Sequence, residues 1–156
     1  GPVYTTRTAE ELVEDGSLAK PIIQIVDNPP VSSVEEGLSY QEIYEEYIVN
    51  CDTRNDKIKD IVTKVYQNNP NAKILILVKN LLNIENNEIT HMINARGLSG
   101  EVPTLQGLGR GIRKSEGKDK MYFYDFYDRI PYLEGHSKAR IRHYKRLKFE
   151  VNNVKL

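Results

Sequence analysis

The chain has 156 residues, enough for one domain with a real core, and 28% charged against 39% hydrophobic residues is a globular composition, not a disordered one. No apolar run approaches the roughly 18 residues of a membrane span, and a single cysteine, Cys51, excludes an internal disulfide and fits a reducing cytoplasm. The formal net charge of zero hides a split: residues 1–47 hold ten Asp and Glu against two Lys and Arg, so the remainder is net basic and able to face nucleic acid.

Gly1-Pro2 looks like a tag scar. Thr8 followed by acids reads as a short helix that Gly16 ends. Pro21–Val26 is β-rich and stops at Asp27-Asn-Pro-Pro30, a strand. Gln41–Tyr47 is helical or turns into a strand at Tyr47–Val49. Ile58, Ile61, Val62 and Val65 fall at i, i+3, i+4 and i+7, which predicts an amphipathic helix after Thr53. Asn68–Asn71 turns the chain, and Lys73–Val78 reads as a strand buried on both faces of a parallel sheet. Thr90–Ala95 is another strand. About ten residues separate it from the one before, short for a helical crossover, so residues 80 and 81 read as non-adjacent in the intact polypeptide. Met121–Tyr127 is an aromatic strand whose rings read as core. Ser137–Glu150 reads as a helix with Ile141, Tyr144, Leu147 and Val151 in one stripe. Lys138, Arg140, Arg142, Lys145, Arg146 and Lys148 cover much of its remainder, which suits a phosphate backbone or simply solvent. His91, His136 and His143 are scattered and read as structural, with no metal constellation.

The most pointed stretch is Gln106–Lys114. On a helix Gln106, Arg110 and Arg113 lie at i, i+4 and i+7, within roughly 40° of one another, while Leu105, Leu108 and Ile112 face the other way. Gly107, Gly109 and Gly111 leave its flanks bare for close approach. Two guanidiniums and an amide on one face suit phosphate oxygens, though a solvated basic helix end has the same pattern.

The order Gln106-x-x-Gly109-Arg110-x-x-Arg113 resembles motif VI of superfamily 2 helicases. Lys73–Val78 resembles motif IV, Leu82-Asn83-Ile84 the tail of motif V, and Ala9–Pro21 and the basic tail resemble phage members of the UvsW type. The resemblance implies an α/β, RecA-like lobe with a mostly parallel sheet flanked by helices, shortened or interrupted near residues 80–81. It implies a linker over 1–20, the second motor lobe over 21–135, and a basic helix over 136–156.

By the same resemblance Arg110 and Arg113 are arginine fingers, with Gln106 and Gly109 at the nucleotide. Lys79, Asn80, Arg96, Ser99, Lys138, Arg142, Lys145 and Arg146 are candidates for contact with branched or duplex DNA. ATP and Mg2+ are implied as cofactors held mainly by an N-terminal RecA-like lobe, because the sequence has neither a G-x-x-x-x-G-K-[ST] nor a D-E-x-[DH] motif. This chain alone is therefore not expected to hydrolyse ATP. One alternative is a stand-alone module that binds DNA or a partner without catalysis. A weaker one is a dinucleotide-binding domain, from Gly107-x-Gly109-x-Gly111 with Asp125 downstream.

Overall fold

Five strands form one all-parallel sheet in the order β2-β3-β4-β1-β5, in a computed structural model that describes residues 19–79, 89–99 and 119–156. They are β1 (Lys20–Asn28), β2 (Ile74–Leu77), β3 (His91–Asn94), β4 (Lys120–Asp128) and β5 (Glu150–Val154). The helices are α1 (Tyr40–Tyr44), which runs into a π-helical turn at Glu45–Val49, α2 (Asp52–Asn68) and α3 (Leu133–Arg146). Together these elements make a RecA-like α/β fold, as the sequence predicts.

Side-chain alternation gives β4 two working faces. Met121 and Phe123 join Ile23, Ile25, Met92 and Tyr144 in a core under α3. Phe126, with the half-buried Tyr124, joins Val26, Ile61, Val65 and Ile93 under α2. A third cluster of Ile43, Tyr44, Ile48, Ile130 and Leu133 caps the carboxyl end of the strands. The predicted apolar stripe of α2 is the one that packs, and the aromatic strand does supply core rings.

Four expectations are corrected. Tyr47–Val49 is not a strand: the helix opened by the Ser39–Glu42 capping box continues there with wider π turns. β2 is an edge strand, not one buried on both faces, and leaves Ile76 and Val78 exposed. α3 ends at Arg146, with Leu147 as its C-cap, and does not run to Glu150. There Lys148 adopts a left-handed conformation (φ 60°), the Lys148 amide donates to the Lys145 carbonyl and the Phe149 amide to that of Tyr144, a Schellman ending. A glycine at Lys148 would have announced it. Val151 accordingly lies not on a helix stripe but in β5, paired in parallel with β1 at Ile23. Finally, Arg140 is not a surface base; it is 2% exposed.

β2 and β3 pair directly in parallel, Ile74 opposite His91. The break inferred at residues 80 and 81 lies outside the described residues.

Candidate functional site

The carboxyl ends of parallel strands are where α/β sheets present ligand-binding loops, and here that end is built on two carboxylates of β4. Asp125 and Asp128 are three residues apart, so they project to opposite faces. Each meets a buried arginine from the helix covering its face. On the α2 side Arg54 donates from Nε to Asp128 Oδ1 (3.0 Å) and from Nη2 to Oδ2 (3.2 Å), with its guanidinium 4.5 Å from the centre of the Phe126 ring. Asn28 adds a 2.7 Å bond to Asp128 Oδ1, and Lys57 holds Asn28 Oδ1 at 2.8 Å. On the α3 side Arg140 donates from Nε to Asp125 Oδ2 (2.9 Å) and from Nη2 to Oδ1 (3.2 Å), and the Tyr144 hydroxyl donates to Oδ2 at 2.6 Å. Burial opposes the charge on Arg140, but the Asp125 carboxylate outweighs it and holds the guanidinium above its ordinary pKa.

Both arginines keep one further donor for the loop after β3. Arg54 Nη1 reaches the Ala95 carbonyl at 2.9 Å, and Arg140 Nη1 the Leu98 carbonyl at 2.8 Å. Between them the Tyr44 hydroxyl donates to the Arg96 carbonyl (2.6 Å), and His136 Nδ1 lies 3.4 Å from that of Gly97, a bond that requires the proton on Nδ1. Burial raises the pKa of the Tyr44 phenol, which keeps it a donor. Four consecutive carbonyls are thus held by side chains from α1, α2 and α3. Gly97, at φ 63°, lets the loop pass so close to Ile48 that a Cβ there would lie 2.7 Å from Cδ1.

The structure divides the residues singled out in the sequence. Lys79 follows β2 at the carboxyl end, exposed, with its Nζ 5.0 Å from the centre of the Tyr44 ring. Half-buried Arg96 and exposed Ser99 belong to the held loop. Lys138, Arg142, Lys145 and Arg146 are all exposed on α3. That helix runs back along the sheet, so its last turn lies about 20 Å from its first, toward the amino ends of the strands. Lys145 and Arg146 are therefore not brought together with Lys79 and Arg96. Asn80, Gln106, Gly109, Arg110 and Arg113 lie outside the described residues. Asp125 is buried in mid-strand against Arg140, so it presents no carboxylate to a ribose as a dinucleotide site would need.

Sequence reading missed both buried arginines. The signal is their place in an apolar stripe. Arg54 stands in line with Ile58, Ile61 and Val65, and Arg140 with Leu133, Ser137 and Tyr144, each set spaced i, i+4, i+7, i+11. A charge in such a stripe requires a buried partner.

No protein-family profile matches the chain, and no curated protein sequence does. The chain is similar in structure to T4 UvsW, with a TM-score of 0.66 and 16% sequence identity. The match covers 90% of this chain and 42% of that one, so the chain spans less than half of that protein. The likeness at this identity is one of fold, and the shared fold is the RecA-like α/β sheet.

Proposed function

We propose that the chain is the second motor lobe of an ATP-dependent DNA helicase or translocase. The observation that carries this reading is the loop at residues 95–98, held at the carboxyl end of a RecA-like sheet by Arg54, Tyr44, His136 and Arg140. That loop leads in sequence to Gln106-x-x-Gly109-Arg110-x-x-Arg113, and the same sheet has its structural likeness in T4 UvsW. A rigid entry is what an arginine pair acting on a phosphate needs, because fixed donors need no reorganisation as charge develops.

In this reading Arg110 and Arg113 are the arginine fingers, with Gln106 and Gly109 at the nucleotide. Lys79, Asn80, Arg96 and Ser99 contribute to the DNA track, in a phage-infected or bacterial cytoplasm. Among the described residues no group of three or more His, Cys, Asp or Glu could hold a metal ion. In this reading Mg2+ and the triphosphate are held mainly by an N-terminal RecA-like lobe. With that lobe joined to this chain, Arg110→Ala is expected to lower kcat for ATP hydrolysis by about 10³–10⁵ while nucleotide binding persists. Unchanged turnover would remove the motor-lobe reading.

A second reading, a DNA-binding module without catalysis, is favoured by the exposed bases of α3. Replacing Lys145 and Arg146 by Gln is expected to weaken DNA binding and reduce the slope of log K against log salt by about 1–2. Binding that persists unaltered in a titration from low to high salt assigns those bases to solvent.

A further inference from the structure

All five strands run the same way, so their amino ends lie together. Lys20 and Lys120 open β1 and β4 and stand directly opposite each other in register. Lys148 lies in the turn just ahead of β5, whose first residue, Glu150, pairs with Ile22, two residues past Lys20. Lys73 precedes β2, and Lys145 and Arg146 close α3 at the same end. All six bases are exposed. With about 4.8 Å between neighbouring strands, the row from Lys148 across β1 and β4 to Lys73 is roughly 19 Å long.

Like charges directly opposite on paired strands cost stability, and little at this end offsets them. Among the described residues the acids here are Asp119 and Glu150. Glu150 accepts hydrogen bonds from Asn152 (3.1 Å) and Lys20 (3.3 Å), which with the field of Lys120 hold its carboxyl below the usual range. One carboxylate thus serves two lysines, and the row keeps a net positive charge. A protein partner would want an apolar centre. Val31, Val49, Val78 and Tyr132 are exposed toward the opposite, carboxyl end, and Tyr66 alone of the exposed large apolar side chains described lies here. A single DNA strand would want open rings for its bases, whereas His91 and Tyr122 are half-buried and stacked on each other. The backbone of duplex DNA needs neither, only cations along its regularly spaced phosphates.

We infer that the amino end of the sheet is a docking surface for the sugar–phosphate backbone of duplex DNA, with Lys20 and Lys120 at its centre and the bases of α3 on its flank. The inference rests on the nucleic-acid reading above. It adds a contact roughly 25 Å, the length of the nine-residue β1, from the loop at residues 95–98, separate from Lys79 and Arg96.

The test is fluorescence anisotropy of the full chain with a short labelled DNA duplex, titrated with salt. Lys20→Gln combined with Lys120→Gln is expected to weaken binding about tenfold or more at low salt. It should also reduce the slope of log K against log salt by about 1–2, the loss of two phosphate contacts. Lys59→Gln combined with Lys155→Gln removes the same charge from exposed positions outside the row and is expected to leave the slope unchanged. Should the first pair of changes lose its circular-dichroism signature, Lys120→Gln alone keeps the Lys20–Glu150 bond and is expected to take about 1 from the slope. A slope that stays at the wild-type value, or falls equally in the control, overturns the surface and leaves the nucleic-acid reading standing. Displacement of the duplex by poly-glutamate at equal charge assigns the row to an acidic protein and overturns the surface too. Failure of the wild type to bind the duplex overturns both.

Discussion

Arg54 holds Asp128 with two nitrogens, at 3.0 and 3.2 Å, and uses its third, Nη1, to fix the Ala95 carbonyl at 2.9 Å. Both side chains are about 1% exposed, so α2, β4 and the loop after β3 meet at one desolvated ion pair. Its counterpart, Arg140 with Asp125, ties α3 to the same strand and the same loop from the opposite face. A buried pair adds little stability over apolar neighbours, but it makes the arrangement intolerant of losing one member.

Arg54→Met is therefore expected to destabilise the fold by about 3–5 kcal/mol, because Asp128 is left charged in a dry site. Adding Asp128→Asn to it is expected to recover part of the loss. Urea unfolding of the two variants measures this; a double variant no more stable than the single one would show that the uncompensated carboxylate is not the cause.

Gly97→Ala is expected to cost about 1–2 kcal/mol, the penalty of a left-handed conformation for an L residue. Contact with Ile48 adds to it, since that side chain is itself buried in the cap cluster. Ile48→Val, which removes the atom nearest the new methyl, is expected to relieve the contact but not the backbone term. The measurement is the urea midpoint of Gly97→Ala, alone and with Ile48→Val. Wild-type stability in Gly97→Ala would mean the loop is not held where it is described.

His91 stacks on Tyr122, ring centroids 5.1 Å apart, and its Nδ1 is 2.8 Å from the Thr90 hydroxyl. Burial lowers its pKa below the ordinary value near 6.5. The folded chain thus binds fewer protons here than the unfolded one. Its stability is expected to fall as pH drops below about 6.5, with no effect from this group above that value. Urea midpoints compared between pH 7.5 and pH 5 should shift less in His91→Gln than in the wild type. Identical shifts would assign the acid sensitivity to other groups.

Local pattern carried the fold a long way. The apolar run at Ile74–Leu77, the stripe from Ile58 to Val65 and the aromatic alternation of β4 each bury what their spacing says they should, apart from the exposed edge of β2. This happens because period 2 and period 3.6 decide which side chains can face a core. Where the reading departed from the structure, tertiary contacts chose between local options. Lys148 takes the left-handed position without being a glycine because Tyr144 and Phe149 share the core beneath it. The last residues become β5 because β1 offers an unpaired edge of hydrogen-bonding groups.

The candidate site divides in the same way. The order Gln106, Gly109, Arg110 and Arg113 stands out in sequence by residue type and spacing alone, which is why the proposed role at a phosphate can be read there. Arg54 and Arg140 carry no such mark: by composition they are two more bases among 22. Only the fold brings Asp128 within 3.0 Å of a residue 74 positions away, and Asp125 within 2.9 Å of one on the next helix. What the sequence determined by itself was most of the described helices and strands and much of their apolar faces, because periodicity is a local property. Which charges are buried and paired, and which remain for a partner, was decided by tertiary structure, because the cost of a charge depends on the distance to its counter-ion and on the water excluded around both.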